Sequence, residues 1–221
     1  MFFFIFILLF EKKIEKIGPL DILLLKLHRS KCLMDDIPKQ LHISKQARKK
    51  AKNFVITINN SFSECLANII HYHSSNWINP SLGAAFGQLN ETKNPALKSR
   101  VISFELWKKI PDSEEVELVA GEIGTAVGGI YTSLTGYHTE NHSGTIQLVA
   151  TGILLHLCKY SVWDLGMPLS YKSTLGSKIV RRDYFVPLVL KHRNDSVLPF
   201  PTTRMIEVHQ LISDFRNSLQ K

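Results

Sequence analysis

The stretch from Val101 to Asp164 limits the possible folds most. Three runs of strand-forming residues, Val101 to Lys108, Glu117 to Val127 and Ile130 to Tyr137, are parted by a short stretch turning at Pro111-Asp112-Ser113 and by Gly128-Gly129. Turns this short join antiparallel neighbours, so the three runs read as a meander. A polar loop, His138 to Ser143, then leads into a helix from Gly144 to Lys159. Its residues Ile146, Val149, Ile153, Leu154 and Leu157 fall at helical spacing. Val162-Trp163-Asp164 follows as a short strand.

The flanking segments carry their own signals. Phe54 to Ile58 reads as a strand, and Ser61-Phe-Ser-Glu64 as a capping box opening a helix to about Tyr72. Asn79-Pro80 opens a second helix to about Leu89, with proline at the first helical position. Residues 21–44 suggest a small strand-rich lead-in. Downstream lie a short helical turn near Tyr171 and a basic helix from Arg181 to His192. After Leu198-Pro-Phe-Pro201 comes an amphipathic helix with Val208, Leu211, Ile212, Phe215 and Leu219 as its stripe. Four regions result: an apolar segment 1–20, a small N-terminal region 21–52 with a basic helix, a main domain 53–193, and a linker with C-terminal helix 194–221.

Composition narrows the class. With 221 residues, 44% hydrophobic and a mean hydropathy of −0.01, the chain is neither disordered nor a multi-span membrane protein. Lys+Arg outnumber Asp+Glu by 27 to 19, a net charge of +8 that suits a polyanionic partner. Cys32, Cys65 and Cys158 are odd in number and form no CxxC pair, so free thiols in a reducing, cytoplasmic compartment are expected. Neither a structural zinc site nor another metal site is indicated: His138 and His142 have no nucleophile–carboxylate arrangement around them. The apolar run Phe2 to Phe10 is too short to cross a membrane as a helix. It lacks the basic residue before and the small-x-small site after that mark a signal peptide. A packing segment or an unreliable gene start is the leading reading, a signal or anchor role stays open as the lesser one, and no stable membrane association is expected. Sequons at Asn59, Asn90, Asn141 and Asn194 matter only for a secreted chain.

The order strand, two helices, three meander strands, helix, strand, helix resembles the GNAT-like acyltransferase fold: α/β (α+β), with a splayed mixed sheet. The glycine-rich loop that cradles the CoA pyrophosphate in such enzymes is not found. His138-Thr-Glu-Asn-His-Ser-Gly-Thr145 has one glycine, which disfavours acetyl-CoA.

Asp164, then Thr174-Leu175-Gly176, then Arg181-Arg182-Asp183-Tyr184 resemble, without a gap in spacing, the signature of the leucyl/phenylalanyl-tRNA–protein transferases. Leu41-His-Ile-Ser44, Phe54-Val-Ile-Thr-Ile-Asn-Asn-Ser-Phe62, Asn76-Trp-Ile-Asn-Pro80 with Ala85-Phe86, and Ser103-Phe-Glu-Leu-Trp107 with Glu117-Leu-Val-Ala-Gly121 resemble further segments of that family, in order. The resemblance runs from about Leu24 to Arg193, and the family's glycine-rich front part is mostly missing.

The resemblance implies an aminoacyltransferase that moves Leu, Phe or Met from aminoacyl-tRNA to the N-terminal amine of an acceptor protein, marking it for degradation. The ester is already activated, so no cofactor or metal is implied beyond aminoacyl-tRNA as co-substrate. The amine must be neutral, and an α-amine with a pKa of about 7.7–8.0 needs only a modest push. In the family the strand-end Asp orients this amine through a Gln two residues on. Asp164 is present, and the second position is Gly166. The family's Gly-Glu-Ser aligns near Ser133-Leu134-Thr135, which leaves Glu122 or Glu140 to assist Asp164. The aminoacyl pocket maps to Trp107, Glu122, Tyr131, Gln147, Ala150, Leu154 and Trp163, with Glu122 and Gln147 placing polar groups where apolar ones are expected. Glu122 needs a partner if it faces inward. Lys45, Arg48, Lys49, Lys50 and Lys52, with Arg181 and Arg182, are the expected contacts to tRNA phosphates. A catalytically silent tRNA- or degron-binding relative, and an N-acyltransferase with another donor, remain as alternatives. The oligomeric state is open.

Overall fold

The computed structural model describes residues 30–73, 77–92, 99–201 and 205–220. The apolar segment 1–20, the first part of the lead-in and Asn76 lie outside the described residues. The elements are β1 (Ser30–Met34), α1 (Ile37–Gln40), α2 (Lys45–Lys50), β2 (Phe54–Ile58), α3 (Phe62–Tyr72), α4 (Pro80–Glu91), β3 (Ser99–Lys109), β4 (Val116–Val127), β5 (Ile130–His138), α5 (Ser143–Leu157), β6 (Val162–Gly166), α6 (Ser170–Thr174), β7 (Lys178–Arg181), α7 (Arg182–His192), β8 (Ile206–Glu207) and α8 (Val208–Ser218).

The strands form one mixed sheet in the order β7-β1-β6-β5-β4-β3-β2-β8. The expected meander is present: β3 pairs antiparallel with β4, and β4 with β5. Only β5 and β6 run parallel, and α5 is the crossover such a pair requires. Their pairing runs from Ile130 and Val162 to Thr132 and Asp164 and stops there, although β5 continues to His138 and β6 to Gly166. The two strands part at Thr132 and Asp164, leaving a fork in the sheet.

Alternation along β3 sorts the core. Ile102, Phe104 and Leu106 pack on one face with Ile146, Val149 and Ile153 of α5 and Leu211, Ile212 and Phe215 of α8. Val101 and Trp107 pack on the other with Phe62, Cys65 and Ile69 of α3 and Phe86 of α4. Helix α5 is sandwiched: Gln147, Thr151 and Gly152 are buried along with its apolar side chains, so no single stripe describes it.

Several local expectations change. The capping box is not formed, because the Ser61 side chain makes no cap bond. Instead the Glu105 carboxylate, reaching over from β3, accepts the Asn60 amide at 3.4 Å and the Ser61 amide. Asn79 does cap α4, accepting from the Leu82 amide at 2.9 Å. The basic helix begins at Arg182 rather than Arg181, since Lys178–Arg181 pairs as a strand with β1. Of the lead-in, residues 30–44 are described; β1 is the strand among them, and it lies inside the sheet between β6 and β7. The stretch around Leu198 is packed rather than loose. Its amide donates to the Cys158 carbonyl at 2.9 Å, and Phe200 meets Phe104 edge-on with ring centroids 5.4 Å apart.

Candidate active site

Asp164 stands where the fork opens. Its side chain is 1% exposed, and Oδ2 accepts from Lys31 Nζ of β1 at 2.5 Å. Thr132 Oγ1 lies 3.4 Å from the same oxygen, and Oδ1 accepts the Gly166 amide at 2.9 Å. That last bond closes a turn in which Gly166 takes φ +77°, a left-handed conformation glycine adopts without steric cost. Lys31 also lies 4.6 Å from the centre of the Phe185 ring.

Glu122 reaches the same region from β4 and is buried. Its carboxylate accepts the Tyr131 hydroxyl at 2.9 Å and Ser133 Oγ at 3.2 and 3.3 Å. Ser133 Oγ in turn accepts the Trp163 indole N–H at 2.9 Å. The inward-facing carboxylate therefore has the partners that burial demands. Burial pushes its pKa up to about 7, against the opposing pull of hydrogen bonds from Tyr131, Ser133 and Gln147 and of the Lys172 charge. Its proton is thus held in the folded state from its ordinary 4.5 up to about 7, while the unfolded chain has already lost it. Stability from this group is present below about 4.5 and lost as pH rises through 7. We expect Glu122→Gln to flatten the pH dependence of the urea midpoint between pH 5 and 8, and a profile that keeps the wild-type slope would contradict this assignment.

Lys172, which sequence reading missed, completes the cluster. It is buried on the one-turn helix α6, and Nζ donates to the carbonyls of Leu165 at 2.5 Å and Met167 at 2.9 Å. Asp164 and Glu122 both act on its charge, and burial lowers its pKa. A lysine beside an apolar strand carries no sequence signal that it will turn inward.

The structure divides the expected pocket. Tyr131, Gln147, Ala150, Leu154 and Trp163 gather with Glu122 on the α5 face, all buried. Trp107 does not join them: it packs against the α3–α4 side, and its indole N–H donates to Thr57 Oγ1 at 2.8 Å. It shares that face with a second network the sequence reading missed, in which Glu105 accepts from Ser103 Oγ at 2.5 Å and Thr57 Oγ1 at 2.6 Å. Burial raises the pKa of Glu105. We expect Trp107→Phe to cost about 1 kcal/mol by loss of one hydrogen bond, read as a lowered urea midpoint. An unchanged midpoint would contradict the bond to Thr57.

Glu140 is also separate. It forms an ion pair with Lys108 beyond the far end of β5. At a rise of about 3.3 Å per residue, the strand carries His138 roughly 20 Å past Thr132, so the loop does not fold back to Asp164.

The basic residues form two groups. Ser44 caps α2, accepting the Ala47 amide at 3.1 Å, and the helix buries Ala47 while Lys45 and Lys49 are exposed and Arg48 and Lys50 half-buried. Lys52 continues this group. Arg181 pairs in register with Ser30 at the start of β1, whereas α2 follows the end of β1. The strand's length separates Arg181 and its neighbour Arg182 from the lysine-rich helix, and Arg181 is bound to Asp183 at 3.0 Å.

Among the described residues no three His, Cys, Asp or Glu side chains converge to hold a metal, and no helix is long and apolar enough to cross a membrane. All three cysteines are free and buried.

Two buried carboxylates and a buried lysine around a strand fork make a candidate acid–base site. Residues 37–189, which contain all of it except Lys31, match the family model for leucyl/phenylalanyl-tRNA protein transferase. The chain belongs to that family. It is 27% identical over 170 residues to the leucyl/phenylalanyl-tRNA–protein transferase of Shewanella baltica, covering 74% of this chain and 66% of the relative. To the same-named protein of Hydrogenovibrio crunogenus it is 23% identical, covering 81% and 66%. To that of Colwellia psychrerythraea it is 26% identical, covering 66% and 60%. The chain thus spans just under two thirds of the length of these curated relatives.

Proposed function

We propose that this protein transfers a leucyl, phenylalanyl or methionyl group from aminoacyl-tRNA to the N-terminal α-amine of an acceptor protein, marking it for the N-degron (N-end rule) degradation pathway. The observation that carries this reading is the family match across residues 37–189, which includes the fork and Asp164. The parting of β5 and β6 after three paired residues supports a GNAT-like core, in which an extended substrate enters between splayed strands.

In this reading the acceptor's α-amine nitrogen attacks the carbonyl carbon of the aminoacyl ester. The bond to the terminal ribose oxygen of the tRNA breaks, and the proton lost by the amine ends on that oxygen. Asp164 orients the amine from the fork. Glu122 assists Asp164 from β4 as a buried carboxyl whose pKa burial raises to about 7. Tyr131, Gln147, Ala150, Leu154 and Trp163 bound the aminoacyl side, and side-chain movement is needed to admit it because all are buried. The ester is activated before it arrives, so neither a metal nor a further cofactor enters this scheme. The lysines of α2 contact acceptor-stem phosphates, an interaction that weakens with salt. Free buried thiols and a tRNA substrate fit a cytoplasmic location.

The test is purified protein with radiolabelled Leu-, Phe- or Met-tRNA and peptides beginning with Lys, Arg, Asp or Glu. Label passing from at least one donor into peptide is the expected result. No transfer from any donor, with tRNA still bound at low salt, overturns the reading and leaves a silent tRNA-binding relative.

A further inference from the structure

We propose that Lys172 is the proton-transfer residue of this reaction, taking a proton from the attacking α-amine and returning it to the departing ribose oxygen. The inference rests on the transferase reading above and adds a chemical role within it. As the carbon–nitrogen bond forms, the amine's proton moves to Nζ. As the ester carbon–oxygen bond breaks, the same proton moves from Nζ to the ribose oxygen, so no other acid, base or oxidant is consumed.

The bonding at Nζ fits this task. Beyond Cε the nitrogen has three further positions, and two are occupied by the carbonyls of Leu165 and Met167. A neutral amine still has two N–H groups, so the proton on the third position can leave without orphaning either buried carbonyl. Lysine thus holds the end of β6 in place in both protonation states, an ability that arginine, charged throughout, does not share.

The third position has room. Gly166 presents no side chain, and a Cβ built there meets, apart from its chain neighbours, only Ser133 O at 3.8 Å and Lys172 Nζ at 4.0 Å. The side of Gly166 that carries no side chain therefore lies against the nitrogen. Burial, the largest influence, and Lys31 of β1 oppose the ammonium; Cys32 from β1, Asp164 from β6 and Glu122 from β4 favour it. Tyr171 on the same helix turns its ring toward Nζ at 5.7 Å. Burial prevails and lowers the pKa, which brings release of the proton closer to neutral pH.

The experiment measures single-turnover transfer at saturating aminoacyl-tRNA between pH 6 and 9, with urea midpoints for every variant. Lys172→Arg is expected to stay folded and bind tRNA while the rate falls about 10²-fold or more. Lys172→Cys, aminoethylated to give a lysine analogue with a more acidic amine, is expected to regain transfer with its rising limb moved to lower pH. Because Lys172 is itself buried, the native cysteines are first replaced (Cys32→Ala, Cys65→Ala, Cys158→Ala). The chain is aminoethylated unfolded and then refolded, and the same background with Lys172 kept sets the reference rate. Lys172→Arg at the wild-type rate and pH profile, or rescue without a shift of the profile, overturns the role and leaves Lys172 a clamp on β6. Absence of transfer by the wild-type protein overturns the transferase reading and this role together, whereas transfer unaffected by Lys172→Arg overturns the role alone.

Discussion

Gly176→Ala is expected to give protein that is largely unfolded, or that melts at far lower urea than the wild type. Gly176 sits at φ +105°, and a Cβ there would stand 1.8 Å from the carbonyl oxygen of Gln40. The backbone strain costs about 1–3 kcal/mol, and forcing the carbonyl aside adds roughly as much again. Against a total stability of about 5–15 kcal/mol, that is a large fraction. The contact matters because it joins two distant motifs. The next residue back, Leu175, accepts the His42 amide at 2.8 Å, so Thr174-Leu-Gly176 and Leu41-His-Ile-Ser44 lock together backbone to backbone. A urea midpoint near that of wild type would mean the loop can relax, and the packing described here would be wrong.

Asp164→Ala is expected to lose both stability and activity. It removes the buried partner of a part-buried pair and leaves Lys31 Nζ, 2.5 Å away in the wild type, without its carboxylate. Breaking a fully buried pair costs about 3–5 kcal/mol, and partial exposure of Lys31 brings the cost here below that. On the proposed function Asp164 orients the amine, and its loss is expected to lower the transfer rate by about 10²-fold or more. Asp164→Asn separates the two effects. The amide oxygen can still accept the Gly166 N–H, so the turn survives, while the charge that holds Lys31 is gone. Its expected signature is milder destabilisation with transfer still deeply reduced, measured by urea titration and single-turnover rates on the same preparation. Transfer at the wild-type rate in Asp164→Asn would remove Asp164 from the mechanism.

The sequence was most legible where structure is decided locally. Phe54–Ile58 is a strand over the expected residues, and the meander turns lie where Pro111-Asp112-Ser113 and Gly128-Gly129 put them. Short strands were not legible. Ser30–Met34 and Lys178–Arg181 carry no clear alternation, and their place comes from partners far along the chain, as in the pairing of Leu33 with Asp164. The capping box at Ser61 misled because Glu105, 44 positions on, supplies the acceptor instead.

The candidate site was half legible. Asp164 could be found from its motif and strand-end position, and the burial of Glu122 agrees with the inward orientation that would demand partners. Trp107 could not be placed by resemblance alone. A motif fixes spacing, whereas the side of the sheet depends on parity: Trp107 follows Ser103 and Glu105, opposite Phe104 and Leu106. Glu140 lay close to the site in sequence but sits at the far end of a long strand. Lys172 was invisible because two backbone carbonyls, not a side chain of recognisable type, bring it inward.

The most direct measurement of the central claim is mass spectrometry of an acceptor peptide after incubation with the protein and aminoacyl-tRNA, beside the same peptide with its α-amine acetylated. The account predicts that the free peptide gains one aminoacyl residue, located by fragmentation at its N-terminus, and that the acetylated peptide gains none. An unmodified free peptide, or an aminoacyl residue on a lysine side chain or on both peptides alike, would contradict it.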